Sequence, residues 1–222
     1  PLTVLRLVAI ALMAAASSAY AVPVSTTVGD TRLTVLGLVG VGRLPANLRD
    51  EHGETFGSVS GLHADIASWK REGVGYSGVF HSTPDRGYNV VGTIDYTARI
   101  NRLEMVFTPV DTSATGLAQD QILLSLAQAT QLFERLPAGG TQGLSGLDPK
   151  PGGVATGGAR PASGSRPQLP QAFNGKLSLD AEGIVKLADG SWLVSDEYGP
   201  SIYRFSSKGE LLGALPVADS VR

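Results

Sequence analysis

The chain has 222 residues, a formal net charge of −2 and no cysteine. It is long enough to bury a sizeable core without cross-links. The small, dispersed negative charge argues against a nucleic-acid-binding surface. The lack of cysteine in the sequence excludes disulfides, cysteine-based zinc sites and a catalytic thiol. Glycine is abundant, at 28 residues, which suits many short strands and tight turns.

The first 21 residues have the pattern of a secretory signal peptide. Arg6 precedes an apolar run from Leu7 to Ala16, and Ala19-Tyr20-Ala21 is a small-x-small cleavage site. The apolar run is too short for an ordinary membrane span. We therefore predict an exported protein, secreted or periplasmic, with no stable membrane span after cleavage. An uncleaved anchor is the alternative.

Strands are predicted over the next part of the chain. Thr31 to Val41 is rich in β-branched and aliphatic residues. Phe56 to Leu62 and Gly75 to Phe80 are two further predicted strands, joined by a charged connection that contains Trp69 to Glu72. Within Asp95 to Val110, apolar residues recur with a period of two, which marks a half-buried strand.

Two segments in the middle of the chain are harder to assign. Apolar residues between Gln119 and Leu136 fit both a helical stripe and a strand, and periodicity alone favours a helix. Ala138 to Pro170 is rich in Gly, Pro, Ser and Ala and contains little that would fill a core, so we predict a flexible loop or insertion. The predicted boundaries are 22–137, 138–172 and 173–222.

The segment from Leu179 to Leu215 predicts four short antiparallel strands. Asp189-Gly190 and Lys208-Gly209 lie between apolar runs, and a two-residue X-Gly loop is a strong hairpin signal. This pattern is typical of one blade of a β-propeller. We predict an all-β fold with antiparallel four-stranded blades. Too little chain remains for a closed ring of four blades, so we expect an incomplete propeller with its N-terminal blades only.

Acidic residues gather at one end of this predicted blade. A two-residue loop would place Glu182 opposite Glu197, and directly opposed carboxylates repel each other unless water or a cation separates them. Hard oxygen ligands favour calcium. We therefore predict a calcium site at Glu182, Asp196 and Glu197, with Asp180 close by. The alternative is that the strands splay after Ser195 and the acids are solvated.

A weak internal repeat connects the two halves of the chain. Ser60-Gly61-Leu62 followed by Asp85-Arg86 is similar to Glu182-Gly183-Ile184 followed by Asp196-Glu197. A propeller predicts repetition by blade. Chance similarity between glycine-rich turns is the alternative.

The usual signatures of a hydrolase nucleophile do not occur in the sequence. The nearest match to a nucleophile elbow, Gly57 to Gly61, has Val59 at its centre instead of serine. His52, His63 and His81 do not have metal-ligand spacing. A serine esterase mechanism therefore has no support in this chain.

Several unusual short runs agree, in chain order, with a known family. The matching runs are Pro84 to Asn89, Gly92 to Tyr96 with Arg99, Gly146 to Pro149, Leu179 to Ile184, Ser195 to Pro200, and Ile202 to Phe205. In these runs the chain resembles the secreted proteins grouped under "esterase-like activity of phytase", the phytase-like family. The resemblance implies a β-propeller and an exported hydrolase. It also implies paired strands, in place of a helix, over Gln121 to Leu136.

With this resemblance, we predict a secreted phytase-like or esterase-like hydrolase of phosphoester or carboxylester bonds in small molecules, assisted by calcium at a propeller channel. Glu182, at the head of an inner strand, and Arg86, whose planar fork of donors suits a phosphate, are the candidate catalytic residues. The alternative role for Arg86 is an ion pair with Asp85 or Asp95.

The alternative function is a non-catalytic propeller that binds a partner or a sugar. We expect a monomer without a nucleic-acid partner, and no activity from this fragment alone.

Overall fold

The computed structural model describes residues 24–35, 38–45, 47–86, 93–110, 120–152, 159–163, 167–199 and 201–215. The predicted signal peptide, residues 1–21, lies outside these ranges. Regular structure in the described residues consists of strands alone, which confirms the all-β prediction. Within these ranges there is no helix of the length and apolarity that a membrane span requires.

The chain begins with a hairpin and continues into an antiparallel sheet. The hairpin consists of β1 (Val24–Val28) and β2 (Thr31–Val35), and all of its residues are exposed. The first four-stranded sheet has the order β3-β4-β5-β6, with β3 (Gly61–Glu72), β4 (Gly75–Thr83), β5 (Arg99–Phe107) and β6 (Ile122–Gln131).

Two predictions for this sheet are corrected. The charged residues from Trp69 to Glu72 belong to β3 itself, because Lys70 and Arg71 pair with Ser77 and Tyr76 of β4 across a tight turn at Gly73. The helix favoured by periodicity after Gln119 is a strand, as the family resemblance implies. Cross-strand pairing with β5 decides this, since β6 pairs with β5 along its length.

Short strands connect the two larger sheets. They are β7 (Phe133–Arg135) with β8 (Thr141–Gly143), and β9 (Ala159–Arg160) with β10 (Leu169–Pro170). Leu144 and Leu169 belong to the core and are 1% and 2% exposed. The prediction that residues 138–170 contain little core material is therefore wrong for these two leucines. The boundaries at 137 and 172 stay predictions.

The second four-stranded sheet is the one that the hairpin signals predict. Its order is β11-β12-β13-β14, with β11 (Ala181–Lys186), β12 (Trp192–Asp196), β13 (Ser201–Phe205) and β14 (Leu211–Leu215). Burial alternates strictly along β13: Ser201, Tyr203 and Phe205 are buried, and the two residues between them are exposed. This period of two packs one face of the sheet into the core.

The register of the first hairpin in this sheet differs from the prediction by one residue. The loop between β11 and β12 contains three residues, because Leu187 pairs with Ser191 and Gly190 adopts a φ of 81° in the left-handed region. Such a loop is a turn closed by a glycine bulge. Val194 therefore faces Ile184 instead of Val185.

The two sheets meet along their first strands. β11 packs against β3 and β4, and the shared core contains Ile184, Trp192 and Val194 from the second sheet. Gly61 of β3 and Gly183 of β11 touch: a Cβ added to Gly61 would lie 3.0 Å from the Cα of Gly183. The repeated glycines thus form a close backbone contact between the sheets.

A buried ion pair attaches the segment that precedes β3 to the first sheet. The Arg99 side chain of β5 is fully buried, pairs with Asp50 and lies over the ring of Tyr96, 4.3 Å from its centroid. Glu51 accepts a hydrogen bond from the backbone nitrogen of Ala129 at 2.8 Å. These contacts hold Asp50 and Glu51 against β5 and β6.

Candidate functional site

Three carboxylates meet where the first strands of the two sheets begin. Asp85 follows the end of β4, Asp180 precedes β11, and Glu182 lies within β11. One carboxyl oxygen from each lies within 4.8 Å of the others. We call these three residues the acidic cluster.

Asp180 is the buried member of the acidic cluster. It is 1% exposed, and its Oδ1 has no hydrogen-bond partner among the described residues. Its backbone is fixed on both sides, because its N–H donates to Asp196 Oδ1 at 2.9 Å and its carbonyl accepts from the N–H of Glu197 at 3.0 Å. Burial, together with the hydrogen bond and charge of Asp85, raises the pKa of Asp180 to about 7.

The Asp85 carboxyl responds in the opposite direction. Its hydrogen bond with Asp180, supported by the charge and backbone of Arg86, lowers the pKa of Asp85. Two close carboxyls cannot both ionise freely, so one holds the proton that the other gives up. The interaction therefore raises the pKa of Asp180, the more buried carboxyl, and lowers that of Asp85.

Glu182 reaches the acidic cluster because of a bulge in β11. Ala181 pairs with Asp196 and Gly183 pairs with Ser195, which leaves Glu182 as the extra residue between them. A bulge redirects the side chain that it carries. Partial burial first, and then the charges of Asp85 and Glu197, raise the pKa of Glu182. The predicted pairing of Glu182 opposite Glu197 is wrong as register, yet the two carboxyls lie close enough to interact.

Arg86 connects the acidic cluster to two residues from other parts of the chain. Its Nε lies 3.4 Å from Asp180 Oδ2 and 3.7 Å from Asp85 Oδ1, and its Nη1 donates to Asp148 Oδ1 at 3.2 Å. Nη1 also donates to the Tyr198 hydroxyl at 3.0 Å. That hydroxyl donates to Asp148 at 2.7 Å, which closes a ring of charge-assisted hydrogen bonds.

The position of this ring depends on Gly146. A Cβ at Gly146 would lie 3.0 Å from the Cα of Arg86 and closer still to its carbonyl group. The Tyr198 hydroxyl lies within 3.3 Å of the Gly146 carbonyl oxygen as well. Close backbone approach at Gly146 therefore sets where Arg86 and Tyr198 meet.

Asp196 supports the site from below. Its Oδ1 accepts from the N–H groups of Asp180 and Tyr198, and its Oδ2 accepts from the Gly199 N–H at 3.0 Å and the Tyr203 hydroxyl at 3.3 Å. Burial raises the pKa of Asp196 to about 6, against the opposing effect of these donors. The carboxylate is thus occupied in shaping the turn that follows β12.

The structure brings most of the residues selected from the sequence to one place. Glu182, Glu197 and Arg86 lie at or beside the acidic cluster, whereas Asp196 lies beneath it as a hydrogen-bond acceptor. The predicted metal set contains Glu182, which lies in the acidic cluster, but it does not contain Asp85. Asp148 and Tyr198 were not selected at all. Both stand in the runs that carry the family resemblance, which is the signal that could have found them.

Comparison with known proteins identifies the family of the chain. A family model described as "Phytase-like: Esterase-like activity of phytase" matches residues 54–222. The chain is 34% identical over 192 residues to a protein of Arthroderma benhamiae called "Uncharacterized secreted protein", covering 83% of this chain and 37% of that protein. The chain thus spans well under half the length of this relative. No solved structure matches. The chain belongs to the phytase-like family, the family of the esterase-like activity of phytase.

Proposed function

We propose that this chain is part of a secreted hydrolase of phosphoester or carboxylester bonds whose reacting centre is the acidic cluster. One observation carries the proposal: Asp180 is buried, with Oδ1 unpartnered among the described residues, beside the carboxyl oxygens of Asp85 and Glu182. A carboxylate buried beside two others is costly unless its charge is compensated, and the one charge of Arg86 is divided among Asp85, Asp148 and Asp180. A bound cation removes that cost.

Calcium is the cation that these donors suit. The three carboxylates supply hard oxygen ligands, and calcium takes six to eight of them in a flexible geometry, so positions are left for water and for a substrate oxygen. A divalent cation supplies polarisation of a phosphoryl or ester oxygen and a more acidic water. Asp85, Asp180 and Glu182 would hold the ion, with Glu197 as a further acid beside Glu182.

Arg86 would bind the negatively charged part of the substrate. Its side chain is 32% exposed, and its ion pairs with Asp85 and Asp180 hold the guanidinium at the edge of the acidic cluster. A guanidinium presents a fork of donors that matches phosphoryl oxygens. The hydrogen bond to Tyr198 and the charges of Asp180 and Asp85 raise the pKa of Arg86, which keeps it cationic.

Two further features support an exported protein with a propeller fold. The two four-stranded sheets share one antiparallel order and meet along their first strands, as consecutive propeller blades do. We propose that they are two such blades and that the acidic cluster lies at the channel they border. The relative from Arthroderma benhamiae is called a secreted protein, which supports export of this protein as well.

The test uses the full-length protein on two substrates, phytate and a simple aryl ester, with added calcium or with chelator. We expect turnover of at least one substrate that requires calcium, and its loss in Asp180→Asn and Glu182→Gln. Glu72→Gln is the matched control, because Glu72 is exposed at the β3–β4 hairpin and bonds only Ser77 among the contacts described. Absence of turnover with either substrate in every metal condition would refute the hydrolase proposal.

A further inference from the structure

A cavity of about 370 Å³ lies between the two sheets, at the other end of β11 from the acidic cluster. Lys186, at the end of β11, lines it, whereas Glu182 lies near the start of the same strand. The two positions are four residues apart along the strand, a rise of roughly 13 Å. The volume is in the range of small-ligand pockets. The cavity is therefore a separate place on the same interface.

Three polar side chains form a row along one wall of the cavity. His81 on β4 pairs with Arg102 on β5, and Arg102 pairs with Gln128 on β6. Directly paired residues place their side chains on the same face of a sheet. All three line the cavity, and Trp192 faces them from the second sheet with its ring centroid 4.7 Å from that of His81.

The charges around the cavity are balanced. Lys186 Nζ lies 2.9 Å from Asp65 Oδ2, and Arg102 Nη1 lies 2.6 Å from Glu104 Oε1. Burial, and after it the charge of Lys186, lowers the pKa of His81 to about 4, so its imidazole is neutral at pH 7. A site for a phosphate would need a surplus of positive charge, and these groups leave none.

In the described part of the chain, His81 has a buried, unpartnered ring nitrogen beside the cavity. The residue is 7% exposed, and its Nδ1 has no partner among the described residues. A neutral imidazole nitrogen satisfies a hydroxyl group as donor or acceptor, depending on the tautomer. Val79, Ile100 and Trp192 add an apolar part to a lining that is otherwise polar.

A ligand that fits must be uncharged, rich in hydroxyl groups and apolar on one side. Sugars have these properties, because their hydroxyls both donate and accept while their C–H faces pack on apolar and aromatic surfaces. We propose that the cavity between the two sheets binds a neutral sugar ring, with the His81, Arg102 and Gln128 row contacting its hydroxyls. This site is independent of the acidic cluster and of its proposed chemistry.

The test is a titration of the isotopically labelled full-length protein followed by NMR. The His81 imidazole and Trp192 indole signals are assigned by their loss in His81→Asn and Trp192→Phe. The probes are the methyl glycosides of glucose, galactose, mannose and N-acetylglucosamine, with inorganic phosphate as a separate arm. We expect at least one glycoside to shift the His81 and Trp192 signals saturably.

Variants decide whether the shifts come from the cavity. Gln128→Ala removes an exposed side chain and should weaken glycoside binding about tenfold, the effect of one lost hydrogen bond. Gln142→Ala, on the separate β7–β8 hairpin, should leave it unchanged. If the glycoside binds the Gln128→Ala variant as tightly as the parent, the sugar binds elsewhere and the assignment is overturned. The assignment is also overturned if phosphate shifts these signals saturably and no glycoside does, or if none of the probes does. None of these readouts requires hydrolysis.

Discussion

The two ends of the contact between the sheets differ in how charge is compensated. At the acidic cluster, Asp85, Asp180 and Glu182 share the single guanidinium of Arg86 with Asp148. At the cavity end, each charged side chain on the wall has a counter-charge within 3 Å. The same strands serve both ends, so the backbone does not decide which ligand each end suits. The local excess of negative charge does, and it favours a cation at one end and a neutral ligand at the other.

The largest expected effect breaks this contrast at the acidic end. Asp180→Asn replaces the buried carboxyl by a neutral amide, so the full-length protein should lose its calcium-dependent turnover by about 10³-fold. Folding should be little affected, because Arg86, the partner of Asp180, is partly exposed and keeps its ion pairs with Asp85 and Asp148. Steady-state kinetics with calcium and a thermal melt measure the two effects, and a rate within twofold of the parent would contradict the assignment.

The next effect concerns the support beneath the acidic cluster. Asp196→Ala removes the acceptor for the backbone N–H groups of Asp180 and Gly199 and for the Tyr203 hydroxyl. Buried donors left unsatisfied cost about 1–3 kcal/mol each, so we expect about 4 kcal/mol lower stability, allowing for relaxation. Urea unfolding measures it. Asp189→Ala, on an exposed loop, is the control at about 1 kcal/mol, and equal losses in both variants would refute the supporting role.

The third effect tests the cavity end through pH. The pKa of His81 is about 4 in the folded chain, against an ordinary value of 6.5, so the unfolded chain binds more protons between these values. The stability that His81 contributes is complete above pH 6.5 and is lost as the pH falls towards 4, by up to about 3 kcal/mol. Lys186, Asp65, His63 and Arg102 face this imidazole and set its charge environment.

Other groups titrate in the same range, so the informative quantity is the difference between two stability curves. His81→Asn removes the imidazole, and its loss of stability between pH 6.5 and 4 should be smaller than that of the parent chain. Denaturant unfolding at several pH values gives both slopes. Identical slopes would mean that the buried imidazole is not the titrating group.

The smallest of the four effects concerns the position of the hydrogen-bond ring around Arg86. Gly146→Ala puts a methyl group against the Arg86 backbone and should cost about 2 kcal/mol through overpacking. Displacement of Arg86 should also weaken substrate binding more than it slows turnover, so KM should rise more than kcat falls. Gly139→Ala meets open space but strains a backbone with a φ of 93°, so it measures backbone strain without overpacking. A Gly146→Ala chain with unchanged stability would show that the backbone relaxes freely there.

The sequence predicts the second sheet well because its signals are local. Turn glycines and alternating polarity place all four strands between Leu179 and Leu215. The error is one residue in register, since Asp189-Gly190 is compatible with a loop of two or three residues and the sequence does not choose between them. Only the left-handed Gly190 within a three-residue loop shows which one forms.

The site was harder to predict because it is assembled from distant parts of the chain. Asp85, Asp148 and Asp180 meet through the docking of separate strands, and no spacing rule connects them. Asp196 was chosen as a ligand from its charge and place in a motif, but charge does not reveal that four donors already occupy its oxygens. The helix favoured after Gln119 failed for a related reason: its period is ambiguous, and pairing with β5 decides it.

The contact between Gly61 and Gly183 has a consequence for the order of folding. The two residues are far apart in the chain, so closing that loop costs entropy that only the docked interface repays. Each sheet consists of consecutive strands, so its pairings are more local in the chain than the contact between the sheets, and more local pairings form faster. We therefore expect the amides of each sheet to gain protection from hydrogen exchange first. The acidic cluster and the cavity would then be completed together, in the later step that docks one sheet on the other.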